Sequence, residues 1–176
     1  MIRKRGRRPM KIVAMAAFAA MAHTGLSAQA GKADRDSAAV MDSIDGAALE
    51  GALADLGAKA RRLDEEGRVM RVAYPDGAIA VMRLSACEQG TCRGLLMTSL
   101  FAPPEGKEPE QARRIARRFS TSFNPATVIV NTRGEHLLKA YVVLDRGITR
   151  GNLAVNLGLF GLGIEQYREA LYSAAD

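Results

Sequence analysis

The sequence contains no tryptophan, only two histidines and only two cysteines among its 176 residues. One histidine, His23, lies in an N-terminal export segment, so His136 is the single histidine of the rest of the chain. Histidine and cysteine side chains, grouped together, are common ligands of metal centres, and histidine-dependent catalysis needs a histidine beside a nucleophile. This scarcity argues against a metal site. No other pattern in the sequence indicates catalysis or a cofactor, so we expect a protein that is not an enzyme.

Residues 1–30 have the composition of a signal peptide. A basic segment comes first, an apolar block over residues 12–22 follows, and the small-residue triplet Ala28-Gln29-Ala30 ends it. This order is typical of a cleavable secretory signal. The apolar block is shorter than the roughly 20 residues that span a bilayer, so a retained membrane anchor is the weaker alternative. We expect cleavage near Ala30 and a mature protein that is periplasmic or secreted.

The sequence leaves the export route and the start residue open. The pair Arg7-Arg8 is compatible with the twin-arginine route. The segment that begins at Met10 would by itself form an ordinary signal for general secretion, so the chain is compatible with a start at either Met1 or Met10.

Removal of the signal peptide changes the charge of the protein. Residues 1–30 hold six of the 25 basic residues and none of the 19 acidic residues, so the mature chain is formally neutral. The net charge therefore gives no reason to expect nucleic-acid binding. A membrane surface is not favoured as a partner either.

The mature chain is predicted to form one α+β domain over residues 45–176, after a flexible lead-in over residues 31–44. Apolar periodicity, together with turns such as Pro75-Asp76-Gly77, predicts the order α-β-β-β-β-α-β-β-α, an antiparallel sheet with helices packed against it. The predicted helices cover residues 46–56 after the cap Asp45, 109–122, and a last segment that begins at Thr149 or Asn152. The predicted strands cover residues 58–63, 68–74, 78–85, 94–101, 126–131 and 136–144.

Two details of this plan concern single residues. Gly158, Gly161 and Gly163 interrupt the apolar stripe of the last helix, where glycine predicts a kink or a close backbone contact. His136 begins the last predicted strand, and no serine or cysteine is placed to use it as a catalytic base. We expect His136 at the surface or at a strand edge.

Cys87 and Cys92 lie in the predicted loop between the third and fourth strands. Because both follow an export signal, they are expected to form a structural disulfide. A redox-active pair is the alternative, but such pairs are usually separated by two residues and lie at a helix N-terminus that lowers a thiol pKa.

Four arginines form one face of the second predicted helix: Arg113, Arg114, Arg117 and Arg118. The opposite face is apolar, which predicts an amphipathic helix. The arginine face could bind a small anion, a lipid headgroup or an acidic peptide. It could equally be a solvated surface, since Glu108 and Glu110 lie one turn upstream.

Four segments of the domain share their order and spacing with one bacterial family. They are the helix end at residues 53–57, the Cys87–Cys92 segment with residues 95–101, the second helix to Phe119 with Phe123 beyond it, and residues 144–149 leading into Asn152 and Leu153. On these residues the chain resembles the YbjN family, proposed regulators of sensory transduction, over residues 46–173.

The resemblance implies an α+β fold similar to that of type III secretion chaperones, often paired as dimers. The family has no established enzymatic activity and no agreed ligand site, so the resemblance transfers no functional residue. Two departures stand out. Phe119-Ser120 occupy the place where family members commonly have Trp-Asn, and many relatives lack a signal peptide.

Two functional hypotheses follow from the sequence. The first is an exported, non-catalytic protein that acts as a sensory transduction regulator or chaperone-like module and binds a protein partner or a second copy of itself. The alternative is an envelope sensor that binds a small anionic ligand or lipid through Arg113, Arg114, Arg117 and Arg118. Neither hypothesis requires a cofactor.

Overall fold

The structure, a computed structural model, describes residues 38–173, so the predicted signal peptide lies outside the described residues. The predicted α+β class and order of elements are confirmed, and two short strands are added to that order. The helices are α1 (Gly46–Asp55), α2 (Pro109–Ser122) and α3 (Arg150–Tyr172). The strands are β1 (Val40–Met41), β2 (Lys59–Arg62), β3 (Val69–Ala73), β4 (Ile79–Glu88), β5 (Thr91–Phe101), β6 (Thr127–Val130), β7 (His136–Val143) and β8 (Ile148–Thr149).

Strands β2 to β7 form one antiparallel sheet in the order β2-β3-β4-β5-β7-β6. The first four strands follow one another as a meander. Helix α2 then carries the chain past the edge of β5, so β7 pairs with β5 and β6 becomes the outer strand. Side chains alternate between the two faces of each strand, and the inward set, including Met82, Met97 and Leu138, is buried.

The three helices cover one face of this sheet. Leu49 and Leu53 of α1 are fully buried, and α3 contributes an apolar stripe that runs from Leu153 to Leu171. Helix α2 buries mainly small residues and Phe119. Each large aliphatic side chain removed from water contributes about 1.5–3 kcal/mol, so the single core between helices and sheet is the main source of stability.

The predicted caps of two helices are present, because each capping side chain accepts a hydrogen bond from a backbone N–H of its own helix. The Asp45 carboxylate accepts from the backbone N–H of Ala48 at 2.8 Å, and the Thr149 hydroxyl accepts from the N–H of Asn152 at 3.0 Å. These side chains satisfy backbone donors that the helices themselves leave unpaired. Among residues 38–173, no helix has the length and hydrophobicity that a membrane span requires.

Residues 40–44 belong to the segment that the sequence predicts to be a flexible lead-in, but in the structure they pair with the domain. Val40 pairs with Thr149 and Met41 with Ile148. Ile44 exchanges two backbone hydrogen bonds with Cys92, at 2.9 and 2.8 Å, and is buried. The segment has no local strand pattern of its own. Its strands form because of partners that lie far along the chain.

The cysteine segment is part of a long hairpin, which corrects the prediction of a loop there. Strands β4 and β5 continue through it and turn at Gln89 and Gly90, both with positive φ. Cys87 and Cys92 are paired across the strands with Cα atoms 3.9 Å apart, and their sulfur atoms lie at bonding distance. The close approach of the two sulfur atoms is compatible with the predicted disulfide.

The glycines of α3 provide close backbone contacts. The helix is continuous from Arg150 to Tyr172, and a Cβ atom at Gly161 would lie 2.8 Å from the ring of Tyr74. Tyr74 has little freedom to move, because it is buried and its hydroxyl donates to the Leu157 carbonyl at 2.8 Å. The sequence predicts either a kink or a close backbone contact at these glycines, and at Gly161 the structure contains the close contact.

Replacement of Gly161 by alanine is therefore expected to destabilise the mature protein by about 1–3 kcal/mol, because the added methyl group overpacks the contact with Tyr74. The matched control is Gly158→Ala in the same helix, where a Cβ atom would have nothing within 4 Å. That substitution should stabilise by up to about 1 kcal/mol through helix propensity. Urea unfolding of both variants measures the difference, and equal effects would contradict the packing role of Gly161.

Candidate functional site

The side of the sheet that faces away from the helices is an uncovered surface. Register pairs trace one complete row across all six strands, from Arg61 through Arg71, Val81, Thr98 and Lys139 to Thr127. Paired residues share a face, so this row and its neighbours form one surface, which we call the open sheet face. Its members are Lys59, Arg61, Val69, Arg71, Ala73, Ile79, Val81, Arg83, Ser85, Gly94, Leu96, Thr98, Leu100, Thr127, Ile129, Leu137, Lys139, Tyr141 and Val143.

Large apolar side chains of the open sheet face are exposed to solvent. Leu100 is 61% exposed and Tyr141 is 54% exposed, and Ile129 and Val143 are exposed as well. Leu100 pairs with Leu137, which pairs in turn with Ile129, so these three side chains adjoin across β5, β7 and β6. A contiguous apolar patch of this kind is typical of a binding surface, whereas single exposed apolar residues are common everywhere.

The charges on the open sheet face are all positive. The six strands carry seven arginine and lysine residues but a single carboxylate, Glu88, at the hairpin end of β4. Within residues 38–173, Arg61, Arg71, Arg83 and Lys139 form no salt bridge. Arg61 and Arg71 even lie directly opposite one another, an arrangement that destabilises a sheet. The face therefore has uncompensated positive charge beside apolar surface.

A glycine positions the single aromatic residue of the open sheet face. Tyr141 extends over Gly94, where any Cβ atom would collide with the tyrosine hydroxyl. That hydroxyl is hydrogen-bonded to the hydroxyl of Ser85 at 3.0 Å. The ring is therefore held against the sheet across β4, β5 and β7, and its outer side contacts solvent.

Helix α2 has the two faces that the sequence predicts. Ala112, Ala116 and Phe119 are buried, and the four arginines point to solvent. Two of the arginines are occupied locally. Glu110 accepts from Arg117 at 2.7 Å and lies 3.6 Å from Arg113, and these arginines lower the pKa of its carboxyl. The arginine face is thus partly neutralised within its own helix, and anion binding by it stays a prediction.

His136 lies in the core, so the expectation of a surface or strand-edge position is wrong. The residue is only 1% exposed, and its Nδ1 atom is hydrogen-bonded to the hydroxyl of Tyr167 in α3. Burial lowers the pKa of the imidazole and raises the pKa of the phenol, so both groups are neutral near pH 7. Sequence reasoning missed this pair because its partners are 31 residues apart. The sequence signal for this pair was the position of Tyr167 on the apolar stripe of α3, which indicates that its side chain is buried.

Residues 38–173 form several cavities, two of which open beside the first turns of helices α2 and α3. One, of about 290 Å³, lies between the loop that contains Pro103 and Pro104, the first turn of α2 and the β6–β7 hairpin, and His136 lines its wall. The other, of about 250 Å³, lies between α1 and α3 and is lined by apolar residues together with Asp55 and Arg150. Among residues 38–173, no group of three or more histidine, cysteine or acidic side chains is placed to hold a metal ion.

Comparison with known proteins identifies the family. A family model described as "YbjN: Putative bacterial sensory transduction regulator" matches residues 45–173. The chain belongs to the YbjN family. No curated protein matches it in sequence.

Two solved structures with TM-scores above 0.5 agree with this assignment at the level of the fold. A crystal structure of YbjN from E. coli, described as a putative transcription regulator, is 13% identical, with a TM-score of 0.54 over 70% of this chain and 88% of that one. An uncharacterised protein from Methanothermobacter thermautotrophicus is 12% identical, with a TM-score of 0.51 over 70% and 93%. The HopA1–SchA chaperone–effector complex is 10% identical, with a TM-score of 0.49 over 69% and 90%.

Ser120 has a structural role at the junction of α2 and β6 in this YbjN-family chain. Its hydroxyl accepts from the backbone N–H of Val128 at 2.9 Å and donates to the Ala116 carbonyl at 2.9 Å. The serine thereby ties the end of α2 to the beginning of β6, so a polar side chain is used structurally here.

The buried imidazole predicts how stability depends on pH. The unfolded chain binds a proton near pH 6.5, whereas folding lowers the pKa of His136. The contribution of neutral His136 is therefore complete above about pH 6.5 and is lost as the pH falls toward the folded-state pKa. The free energy of unfolding should decrease by up to about 1.4 kcal/mol for each pH unit across that interval.

An NMR titration of this imidazole, the single histidine resonance of a mature chain that begins after residue 30, measures the folded-state pKa directly. Urea unfolding of His136→Gln at the same pH values is the control, because the variant lacks the titrating group. An imidazole that titrates at or above 6.5 in the folded protein would contradict this account.

Proposed function

We propose that this YbjN-family protein is an exported, non-catalytic binding protein whose open sheet face binds an acidic polypeptide segment that also carries apolar side chains. The observation that carries the proposal is the combination of unpaired cations with an exposed apolar patch on one face. A partner with carboxylates would neutralise Arg71, Arg83 and Lys139, and its apolar side chains would cover Leu100 and Ile129. In a regulator or chaperone-like protein, such a surface would hold the regulated or protected chain.

The shape of the face supports a polypeptide over a bilayer. Neighbouring strands of a sheet are rotated by about 20–25° relative to one another, so a six-stranded sheet presents a twisted surface. A narrow segment can follow that surface, whereas a planar membrane would contact only part of it. Loops and protruding helices are the usual places for residues that enter a bilayer, and the apolar residues here lie within strands.

The composition of the face argues against two other partners. Single-stranded nucleic acid is bound by several aromatic side chains on which bases stack, and the open sheet face has one, Tyr141. A second copy of the same face would bring like charges together, since Arg61, Arg71 and Arg83 would approach their own counterparts. A homodimer through this face is therefore disfavoured.

Export is the second part of the proposal. The charged and apolar pattern of residues 1–30 supports a signal peptide, and the paired Cys87 and Cys92 support an oxidising compartment such as the periplasm.

The open sheet face is tested with a fluorescent peptide in which glutamate and leucine alternate. Binding by the mature protein should decrease at least about tenfold in the double variant Arg71→Glu/Arg83→Glu and should weaken with added salt, because charge complementarity supplies part of the affinity. The matched control is Arg114→Gln/Arg118→Gln, which removes two exposed arginines of α2 without touching the sheet.

Three outcomes would count against this function. Equal loss in the control variant would favour anion binding by the arginine face. Tighter binding to phosphatidylglycerol vesicles than to the peptide would favour a lipid surface. Unchanged peptide binding in Arg71→Glu/Arg83→Glu would show that the open sheet face does not bind the peptide.

The export prediction is checked by cell fractionation. The protein is expected in the periplasm, with a mature N-terminus close to Gly31 and with Cys87 and Cys92 protected from alkylation until a reductant is added. Recovery of the full-length chain from the cytoplasm with both thiols reactive would overturn it.

A further inference from the structure

The cavity beside His136 has the features of a binding site and is separate from the open sheet face. We call it the histidine pocket. It has a volume of about 290 Å³ and lies between the Pro103–Pro104 loop, the first turn of α2 and the β6–β7 hairpin. This volume is at the lower end of the range for small-molecule sites. The size suits a ligand much smaller than a folded partner.

The wall of the histidine pocket contains an N–H donor that opens into the pocket. Tyr167 is fully buried, and the structure gives its hydroxyl one hydrogen-bond partner, His136 Nδ1. The hydroxyl proton needs an acceptor, and a neutral imidazole has a single acceptor nitrogen. Nδ1 must therefore accept from Tyr167, which leaves the proton of the imidazole on Nε2. Among the described residues Nε2 has no hydrogen-bond partner, although His136 is 99% buried and lines the pocket.

The charged residues that line the pocket are all cations. They are Lys107, Arg113 and Arg133. Two are partly compensated from outside the pocket, since Arg113 lies 3.6 Å from Glu110 and Arg133 lies 2.8 Å from Glu135. Lys107 donates to the backbone carbonyl of Ser173, which carries no net charge. The surroundings therefore favour a ligand with one negative charge rather than several.

The remaining walls are mostly apolar and stiff, with Thr132 as their one polar side chain. Pro103, Pro104 and Pro109 contribute three rings, and Val130 contributes the side chain of a strand residue. Proline has few conformations to lose, so such walls are preorganised for a small apolar group. An inorganic ion would leave these walls uncovered.

We propose that the histidine pocket binds a small organic monoanion of the carboxylate class. Its carboxylate accepts from His136 Nε2, from Arg113 and from Arg133, and its apolar part contacts the proline walls. The site differs from the arginine face predicted from the sequence, because of those four arginines only Arg113 lines it.

The test uses the mature protein and reads the imidazole of His136 directly. A long-range ¹H–¹⁵N spectrum should show the Nε2–H tautomer in the unliganded protein. Benzoate is the probe, and benzamide is its uncharged counterpart of nearly the same shape. Benzoate should shift the Nε2 resonance in a saturable way and benzamide should not. His136 itself is left in place, because its removal would leave the Tyr167 hydroxyl without a partner.

Matched variants locate the site. Arg113→Gln and Arg133→Gln should each weaken benzoate binding about tenfold, since each removes a charge-assisted hydrogen bond. Arg114→Gln, one residue along the same helix and outside the pocket, should leave the affinity unchanged.

Several results would overturn the proposal. An Nδ1–H tautomer would remove the donor from the pocket. Equal binding of benzamide would show that charge is not recognised. Tighter binding of inorganic phosphate than of benzoate would replace the carboxylate class by a phosphate site. An equal loss in Arg114→Gln would return anion binding to the arginine face.

Discussion

The arrangement of this domain depends on the contacts of the Tyr167 side chain. Its ring packs edge-on against Phe101 of β5 and Phe119 of α2, and its hydroxyl bonds to His136 of β7. One fully buried side chain of α3 thus contacts two neighbouring strands and a second helix. Because the phenol must find a hydrogen-bond partner inside the core, it also determines the position of the buried imidazole.

The same packing creates both surfaces to which we assign binding. All three helices bury their apolar sides on one face of the sheet, so the other face stays uncovered. On that face, the strand alternation collects cations from distant parts of the chain, such as Arg71 and Lys139, without bringing carboxylates to meet them. On the helical side, the α2 N-terminus and the β6–β7 hairpin enclose a small pocket above His136. The two sites share no residue and can be tested separately.

Local sequence signals predicted most of the elements, and tertiary pairing accounts for what they missed. The Asp45 and Thr149 caps and the two-faced helix α2 each depend on residues within a few positions, so periodicity and capping rules found them. The pairing of Ile44 with Cys92 and of His136 with Tyr167 joins residues far apart in the chain. The predicted β4–β5 hairpin is too short because Ala86 and Gln89 adopt positive φ. Non-glycine residues rarely adopt this conformation, so the sequence gives no sign of it.

By itself, the sequence determined the class of fold, the limits of α2, the start of α3, the family resemblance and the expectation of export. Each of these depends on composition, spacing or local hydrogen bonding. Only the tertiary structure decided that the unpaired cations share a face and that His136 is neutral and buried. It also decided that Arg113, unlike Arg114, lines a pocket. These properties depend on strand register and on the sheet's covered and uncovered sides, and both are set by contacts between residues that are distant in sequence.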